Sequence, residues 1–581
     1  MFRSIYHGCS GNSIQLGFLT LSDINKSRGL IRKIMIGKPI IIKSINIASE
    51  ASIIDSLLQN DGSDSLLNYL INPLQQYKSI EENIIEETEI EEIKIEQKEE
   101  VKENINLWDY YSLLKGKEKE KFNNSINEIL DEYLIEYQLN KDQFIALKSY
   151  KDQLIYNIKP CLLIHGVFGS GKSYLLGICI LFTNRVSELN YKIKKPRILI
   201  SCMTNTAVDN ILLNLLKLDY EEFIRVGSLK RINRTILPYC IQSKKKLEED
   251  IKELKSLLNE DNLSNEDYKL INKTITKFQN MNDSLKIEKI VTSTNVIAVT
   301  CLASNFPCLE NQLFDILFMD EVSQLTEGLS LLPILKFQPK KLLLVGDPLQ
   351  LPPTLTNINN NSLLKNKLKL TLFDRLIKNH LIPVMLKSQY RCHPIIAQLS
   401  NNLFYNKKLI NGINEKDRRP LLMNLPTLCF INIETGRESI SKISRSYHNE
   451  KEVELIIELI TKLVNTKIQP IEIGVICMYK SQVEKIEHKL TTIYGKNKRS
   501  KIKVSTVDAF QGAEKSIIIL SCVRTSSYSN QFLNNSNRIN VALSRAKYHL
   551  FIIGNYTSLY KLSIWKSIIC DYCKGKGLSI F

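Results

Sequence analysis

Between residues 161 and 347 the chain repeats one pattern: a continuous apolar run of strand length, a loop, then a helix-like stretch. The runs are CLLIHG from Cys161, RILISC from Arg197, VIAVTCLAS from Val296, DILFMD from Asp315 and KLLLVGD from Lys341. Continuous rather than alternating hydrophobicity predicts strands buried on both faces of a parallel sheet. A second series follows, with TLCFINI from Thr427, IGVICMY from Ile473, KVSTVD from Lys503, SIIILSCV from Ser516 and HLFIIG from His549. Two successive α/β cores are therefore expected. Ordered helical patterning begins near Leu107. Residues 243–289 are rich in Lys, Glu and Leu and free of Gly and Pro, which predicts an exposed helical hairpin inserted in the first core.

Composition adds a boundary and a partner. The chain has 581 residues, 44% hydrophobic and 24% charged, enough apolar material for more than one core. Lys and Arg number 78 against 61 Asp and Glu, a formal charge of +17. Glu81 to Glu103 holds eleven Glu against three Lys, which leaves +25 on the remainder. That remainder suits a polyanion, nucleic acid ahead of an anionic membrane, although a Lys-, Ile- and Asn-rich genome would also inflate the lysine count. Residues 81–104 read as a solvated acidic linker, and residues 1–80 carry no pattern that assigns a fold. The 13 cysteines are irregularly spaced and several lie inside apolar runs, as in a reduced intracellular protein. Cys570 and Cys573 form one CxxC, but a zinc site needs four ligands and no second pair lies near. No run of 18 apolar residues is present, so no membrane span is expected. The N-terminus lacks the apolar stretch of a secretory signal, and its few acids before Asp23 leave a mitochondrial address as an alternative.

Chemistry enters at Gly166-Val-Phe-Gly169-Ser-Gly171-Lys172-Ser173, which fits GxxxxGK[ST] between an apolar strand and a helix. Glycines let backbone N–H groups wrap a phosphate, and the helix N-terminus adds favourable dipole charge. Lys172 is placed to reach the outer phosphates and the Ser173 hydroxyl to hold Mg²⁺. About 150 residues on, Asp320 ends an apolar strand where it can meet the same Mg²⁺, and the adjacent Glu321 is placed to polarise attacking water. The site is expected to use ATP and Mg²⁺.

The order of motifs resembles the superfamily 1 helicases, specifically the 5′-to-3′ up-frameshift-like group. Leu139 to Gln143 looks like the Q-motif, SCMTNTAVDNIL like motif Ia, DEVSQ like motif II and GDPLQLPP like motif III. QYRCHP is similar to motif IV, VSTVDAFQGAE to motif V and NVALSRAK to motif VI. RVGSLKRI, LPTLCFINI, MYKSQ and DAFQGAEKSIIILSCVRT resemble more closely the helicase region of the GRF-type zinc-finger DNA helicases, here without the zinc finger. The likeness runs from about Trp108 to Gly554. The phosphate loop departs from the group's frequent GPPGTGKT: Val167 and Phe168 replace two prolines, and serine twice replaces threonine.

The resemblance implies two RecA-like domains, about 105–375 with the helical insertion near 230–290, and 376–581. It implies that Gln143 reads adenine, Tyr390 stacks on it and Glu514 bonds the ribose. Gln350 would sense the γ-phosphate, and Arg391 and Arg545 would approach it from the second core. Guanidinium groups there can neutralise charge that spreads over the phosphoryl oxygens. Thr204, Asn205, Ser505 and Thr506 would donate hydrogen bonds to strand phosphates, and Pro352 and Pro353 either form a stiff edge near the bases or a simple turn. The basic cluster Lys496–Lys501 reads as a solvated loop, a phosphate contact or a nuclear import signal. The implied activity is 5′-to-3′ unwinding of duplex or branched DNA in nuclear repair and recombination, by a monomeric motor working with repair proteins. The alternatives are an up-frameshift- or senataxin-like RNA helicase, and a non-unwinding ATP-dependent scaffold on nucleic acid.

Overall fold

The computed structural model describes residues 4–10, 13–18, 105–156, 160–241, 251–252, 254–258, 263–280, 284–354, 369–422, 425–499, 501–526 and 532–573. Before Ile105 this comprises one antiparallel hairpin, β1 (Ser4–Ser10) with β2 (Ser13–Phe18). The expected acidic linker at 81–104 lies outside the described residues. No helix among the described residues is long and apolar enough to cross a membrane.

The first domain is built on an eight-stranded sheet. Its strands are β3 (Cys161–Gly166), β4 (Ile198–Cys202), β5 (Phe223–Val226), β6 (Cys240–Ile241), β7 (Val296–Thr300), β8 (Ile316–Asp320), β9 (Lys341–Gly346) and β10 (Val384–Leu386). They lie in the order β10–β3–β9–β8–β4–β7–β5–β6, and every pairing is parallel. Every residue of β4, β8 and β9 is buried, the physical reason for their unbroken apolar runs. β10 lies beyond the expected boundary at 375. It covers the free edge of β3, an edge that would otherwise present unpaired backbone groups.

The insertion differs from the exposed hairpin that the sequence suggests. It opens with a 3₁₀ turn, Arg234–Tyr239, and with β6, which lengthens the sheet. The Asn265–Asn280 helix then packs on that turn with Ile271, Thr274 and Phe278 buried. Ile271, Ile275 and Phe278 fall at i, i+4 and i+7, one apolar stripe that has to be covered. Lys277 Nζ ties the helix down by donating to Pro238 O (2.7 Å) and Cys240 O (3.3 Å).

A short parallel pair, β11 (Ser388–Gln389) and β12 (Ile410–Asn411), leads into the second domain. That domain has a wholly parallel five-stranded sheet and one antiparallel hairpin, β14 (Glu438–Ile440) with β15 (Tyr447–Asn449). The sheet strands are β13 (Leu428–Asn432), β16 (Ile473–Cys477), β17 (Lys503–Thr506), β18 (Lys515–Ser521) and β19 (Ala546–Gly554), ordered β13–β19–β18–β16–β17. One core is built from one face of the sheet and the Glu450–Asn465 helix, through Val453, Ile456 and Ile460. The other gathers the Pro394–Phe404 and Ser536–Leu543 helices and Trp565, and it also takes in Val167 and Phe168 of the phosphate loop. Cysteines from Cys161 onward are unpaired, and all but Cys308 and Cys570 are buried.

Glu452, in the first turn of the Glu450–Asn465 helix, is fully buried under the end of β18. Its carboxylate accepts from Ser521 Oγ at 2.6 Å and from the Val523 N–H at 2.9 and 3.0 Å. Val523 sits at φ 70°, a conformation that β-branched residues avoid, so the carboxylate pins a strained turn. Burial nevertheless pushes the Glu452 carboxyl from 4.5 up to about 8. The folded chain thus keeps a proton that the unfolded chain releases, and stability falls as pH rises through that window. Glu452→Gln is expected to flatten the decline in the urea midpoint between pH 4.5 and 8; a decline as steep as the parent's would contradict this.

Candidate active site and strand groove

The first-domain groups of the site lie on loops at the carboxyl ends of parallel strands, where open α/β sheets present ligand sites. β3 ends at Gly166, and the chain turns through Gly169 (φ 63°) and Gly171 (φ 76°) into the Lys172–Ser187 helix. Those left-handed conformations suit glycine. The space does too: a Cβ on Gly171 would stand 2.7 Å from Gln143 Nε2, and one on Gly169 would stand 2.5 Å from Arg391 Cβ. The Lys172 ammonium donates to Gly166 O and Val167 O, each at 2.9 Å. Burial lowers its pKa, while Asp320 and Asp347 oppose that.

Asp320 closes β8 and Glu321 follows it. Ser173 Oγ donates to Asp320 Oδ2 at 3.2 Å, and Asp320 Oδ1 accepts from the Glu321 N–H at 2.8 Å. Burial raises the Asp320 pKa, partly offset by Lys172. Glu321 occupies φ 57°, an unusual conformation that turns its side chain out of strand direction. Burial and then the Asp320 charge push its carboxyl up to about 7. A carboxyl poised there can take up a proton near neutral pH.

From the second domain, Arg545 is almost fully buried and donates to Gln350 Oε1 at 3.0 Å. Burial and then Arg391 lower its pKa to about 10, so it remains charged at neutral pH. Arg391 donates to Ser544 O at 3.2 Å and is ion-paired with Glu514, which Lys547 also meets at 2.7 Å. Against the effect of burial, Arg391 and Lys547 hold the Glu514 carboxyl down at about 2. Glu514 is therefore engaged by two cations within its own domain, a pairing that its expected ribose contact did not suggest.

Gln143 forms a capping box with Asn140 at the start of the Lys141–Ile155 helix, and its Nε2 donates to Ser170 O at 3.1 Å. Its buried amide thus holds the phosphate loop. Tyr390 is 36% exposed and accepts a hydrogen bond at 2.9 Å from Nδ2 of Asn140, the residue that caps the Gln143 helix. The Tyr390 N–H also donates to Gly169 O at 2.9 Å, a backbone bond from domain to domain.

Beside Glu321 runs an interdomain groove of about 290 Å³. Thr204, Thr206 and Pro352 line it from the first domain, and Lys503, Asp508 and Gln511 from the second. The other expected strand contacts fall outside its lining. Asn205 turns its carbonyl inward to accept from Arg225 Nη2 at 2.7 Å, because that fully buried guanidinium needs acceptors and also takes Asp209. Pro353 is buried. Ser505 and Thr506 are half-buried at the end of β17, with Ser505 Oγ donating to Thr506 O at 3.2 Å.

The sequence reading missed Lys503 and Gln511, and beyond them a line of rings and guanidinium groups. Arg538 pairs with the groove residue Asp508 (3.3 Å) and lies 4.0 Å over the Phe532 ring. Phe532 meets Tyr479 (centroids 5.3 Å), Tyr479 meets Tyr447 (5.4 Å), and Arg524 covers Tyr447 at 4.0 Å. The signal was MYKSQ and SCVRT, which place an aromatic and an arginine just past the ends of β16 and β18. Cys570 and Cys573 lie on a terminal π-helical turn, where Cys573 is buried. Of the basic cluster, Lys496–Ser500 have no described side chains.

Two parallel α/β domains, a phosphate loop with its lysine, an acidic pair and guanidinium groups reaching from the opposite domain define an ATP-driven two-domain motor. Two family profiles, each described as an AAA domain, match residues 138–357 and 368–557. The chain is 31% identical over 500 residues to an ATP-dependent helicase of Methanocaldococcus jannaschii, covering 74% of this chain and 70% of that one. It is 42% identical over 459 residues to the 5′-3′ DNA helicase ZGRF1 of Mus musculus, 76% of this chain and 24% of that protein. It is 30% identical over 453 residues to the regulator of nonsense transcripts 1 homolog of Neurospora crassa, 76% of this chain and 39% of that protein. The chain thus belongs to the up-frameshift-like group of superfamily 1 helicases and is an ATP-dependent enzyme. It spans about a quarter of the mouse relative and two fifths of the Neurospora one.

Because Glu321 titrates near 7 in this site, ATP turnover is expected to fall as pH drops through that value. Glu321→Gln should lower turnover by roughly 10²-fold or more and remove that limb of the pH profile, with nucleotide binding retained. A glutamine variant with the parent profile would take the base role from Glu321.

Proposed function

We propose that this chain is a 5′-to-3′ DNA helicase that draws single-stranded DNA through the groove between its domains. The observation that carries the reading is the position of that groove: both domains line it and Glu321 opens onto it, so strand and nucleotide share one cleft. Lys172, Arg391 and Arg545 neutralise the phosphoryl oxygens, Gln350 links that charge to the groove through Arg545, and Glu321 takes the proton of the attacking water. The adjacent Ser173 hydroxyl and Asp320 carboxylate are hard oxygen donors that would hold Mg²⁺, and the ion would supply charge neutralisation on the phosphates. Thr204 and Lys503 contact strand phosphates, and Phe532, Tyr479 and Tyr447 extend the track as a stacking surface. The greater identity to the mouse DNA helicase than to the nonsense-transcript regulator favours DNA over RNA. Work on branched DNA in nuclear repair and recombination, as a monomeric motor with repair proteins for partners, completes the reading.

Duplexes with 5′ or 3′ tails, each made in DNA and in RNA, decide it. Unwinding from 5′ DNA tails is expected; preference for 3′ tails overturns the polarity, and preference for RNA moves the function to RNA metabolism. A second measurement reads the track itself. Trp108 and Trp565 are buried, so Phe532→Trp, at a position 38% exposed, adds the responsive indole. Its emission should be quenched by oligothymidine, and unchanged emission at saturating strand would remove Phe532 from the track.

A further inference from the structure

Tyr405 closes the Pro394–Phe404 helix of the second domain, yet its side chain lies against the first. The residue is 2% exposed. Its ring meets Phe168 of the phosphate loop edge-on, with centroids 5.8 Å apart. Its hydroxyl donates to Asp347 Oδ2 at 2.7 Å and accepts from Asn540 Nδ2 at 3.0 Å. One side chain of the second domain thus touches both the loop that holds phosphate and the loop that borders the strand groove.

Asp347 is the hub of that contact. Its Oδ1 faces His165 Nε2 (3.1 Å), on the strand that enters the phosphate loop, and accepts from the Leu349 N–H (3.1 Å). Its Oδ2 accepts from Gln350 Nε2 (2.7 Å) and from Tyr405. Three of these four partners belong to the first domain and move with Asp347, whereas Tyr405 crosses the cleft. Gln350, held by Asp347 at one end of its amide, meets Arg545 at the other. The other cross-cleft bonds of this loop reach its backbone: Asn537 donates to Pro348 O (3.2 Å) and Asn540 to Leu349 O (2.8 Å).

We propose that Tyr405 is a positioning residue that couples cleft closure to the strand groove, setting Asp347 and Gln350 through its hydroxyl while its ring seats the phosphate loop at Phe168. The proposal rests on the strand-driven motor reading above. Removing the hydroxyl leaves a buried carboxylate short of one donor only when the cleft is shut, which penalises the closed state selectively.

The test measures steady-state ATP turnover of the full chain with and without oligothymidine, beside strand affinity by anisotropy. Tyr405→Phe keeps the ring and deletes the hydroxyl. The expected result is a KM for ATP and a strand affinity within about twofold of the parent, with strand-stimulated kcat down roughly tenfold. A purely structural role would instead lower the melting temperature without changing the ratio of stimulated to unstimulated turnover. Asp347→Asn approaches the bond from the other side, and Tyr405→Phe made in that background should cost little more. Full stimulation in Tyr405→Phe, or additive losses in the double variant, overturns the proposal. If Tyr405→Phe does not fold, Asp347→Asn must by itself show the kcat-selective loss, or the proposal falls. Absence of strand stimulation in the parent chain would instead defeat the motor reading.

Discussion

The phosphate loop is held by two domains at once, and most of the site follows from that constraint. Its backbone carbonyl at Gly169 is bonded by the Tyr390 N–H, and its Val167 and Phe168 side chains are buried in the second domain's core. A loop so placed cannot move without one domain shifting on the other. ATP chemistry on the loop is thereby tied to domain closure by packing, before any phosphate contact is considered. The two cores are separately built sheets, so closure can change while each remains folded.

The electrostatics of the cleft are arranged around the same constraint. Lys172, Arg391 and Arg545 bring three cations to one dry region, where unpaired charge is costly. Asp320, Asp347 and Glu514 balance them, each held by hydrogen bonds or by a partner cation. Glu321 is the acidic group whose neighbours leave it near neutral titration, because burial and Asp320 both push it upward. Environment thus separates the adjacent carboxylates: Asp320 is held by Lys172, Ser173 and the Glu321 N–H, whereas Glu321 carries the added push of the Asp320 charge.

Much of this was legible in sequence. Unbroken apolar runs marked the buried parallel strands, and the glycines with Lys172 and Ser173 marked the loop between strand and helix. Tertiary demands added contacts that no local pattern records. Asn205, expected at the strand, also gives its carbonyl to Arg225, whose buried guanidinium could not be recognised from an FIRVGS string. Glu514, expected at the ribose, is in addition paired with Arg391 and Lys547. The insertion was expected to be exposed, yet its stripe at Ile271, Ile275 and Phe278 required cover, and the Arg234–Tyr239 turn supplied it.

By itself the amino-acid sequence determined the two α/β cores, the phosphate loop, the acidic pair and the order of the motor elements. These are local properties: strand burial is written in consecutive apolar residues, and phosphate binding in a short run of glycines before a helix. The tertiary structure alone decided which groups meet across the cleft. That Tyr405 reaches Asp347 and that Arg545 reaches Gln350 depends on how two sheets dock. Such docking is set by shape and charge summed over many side chains, and no single stretch of sequence records it.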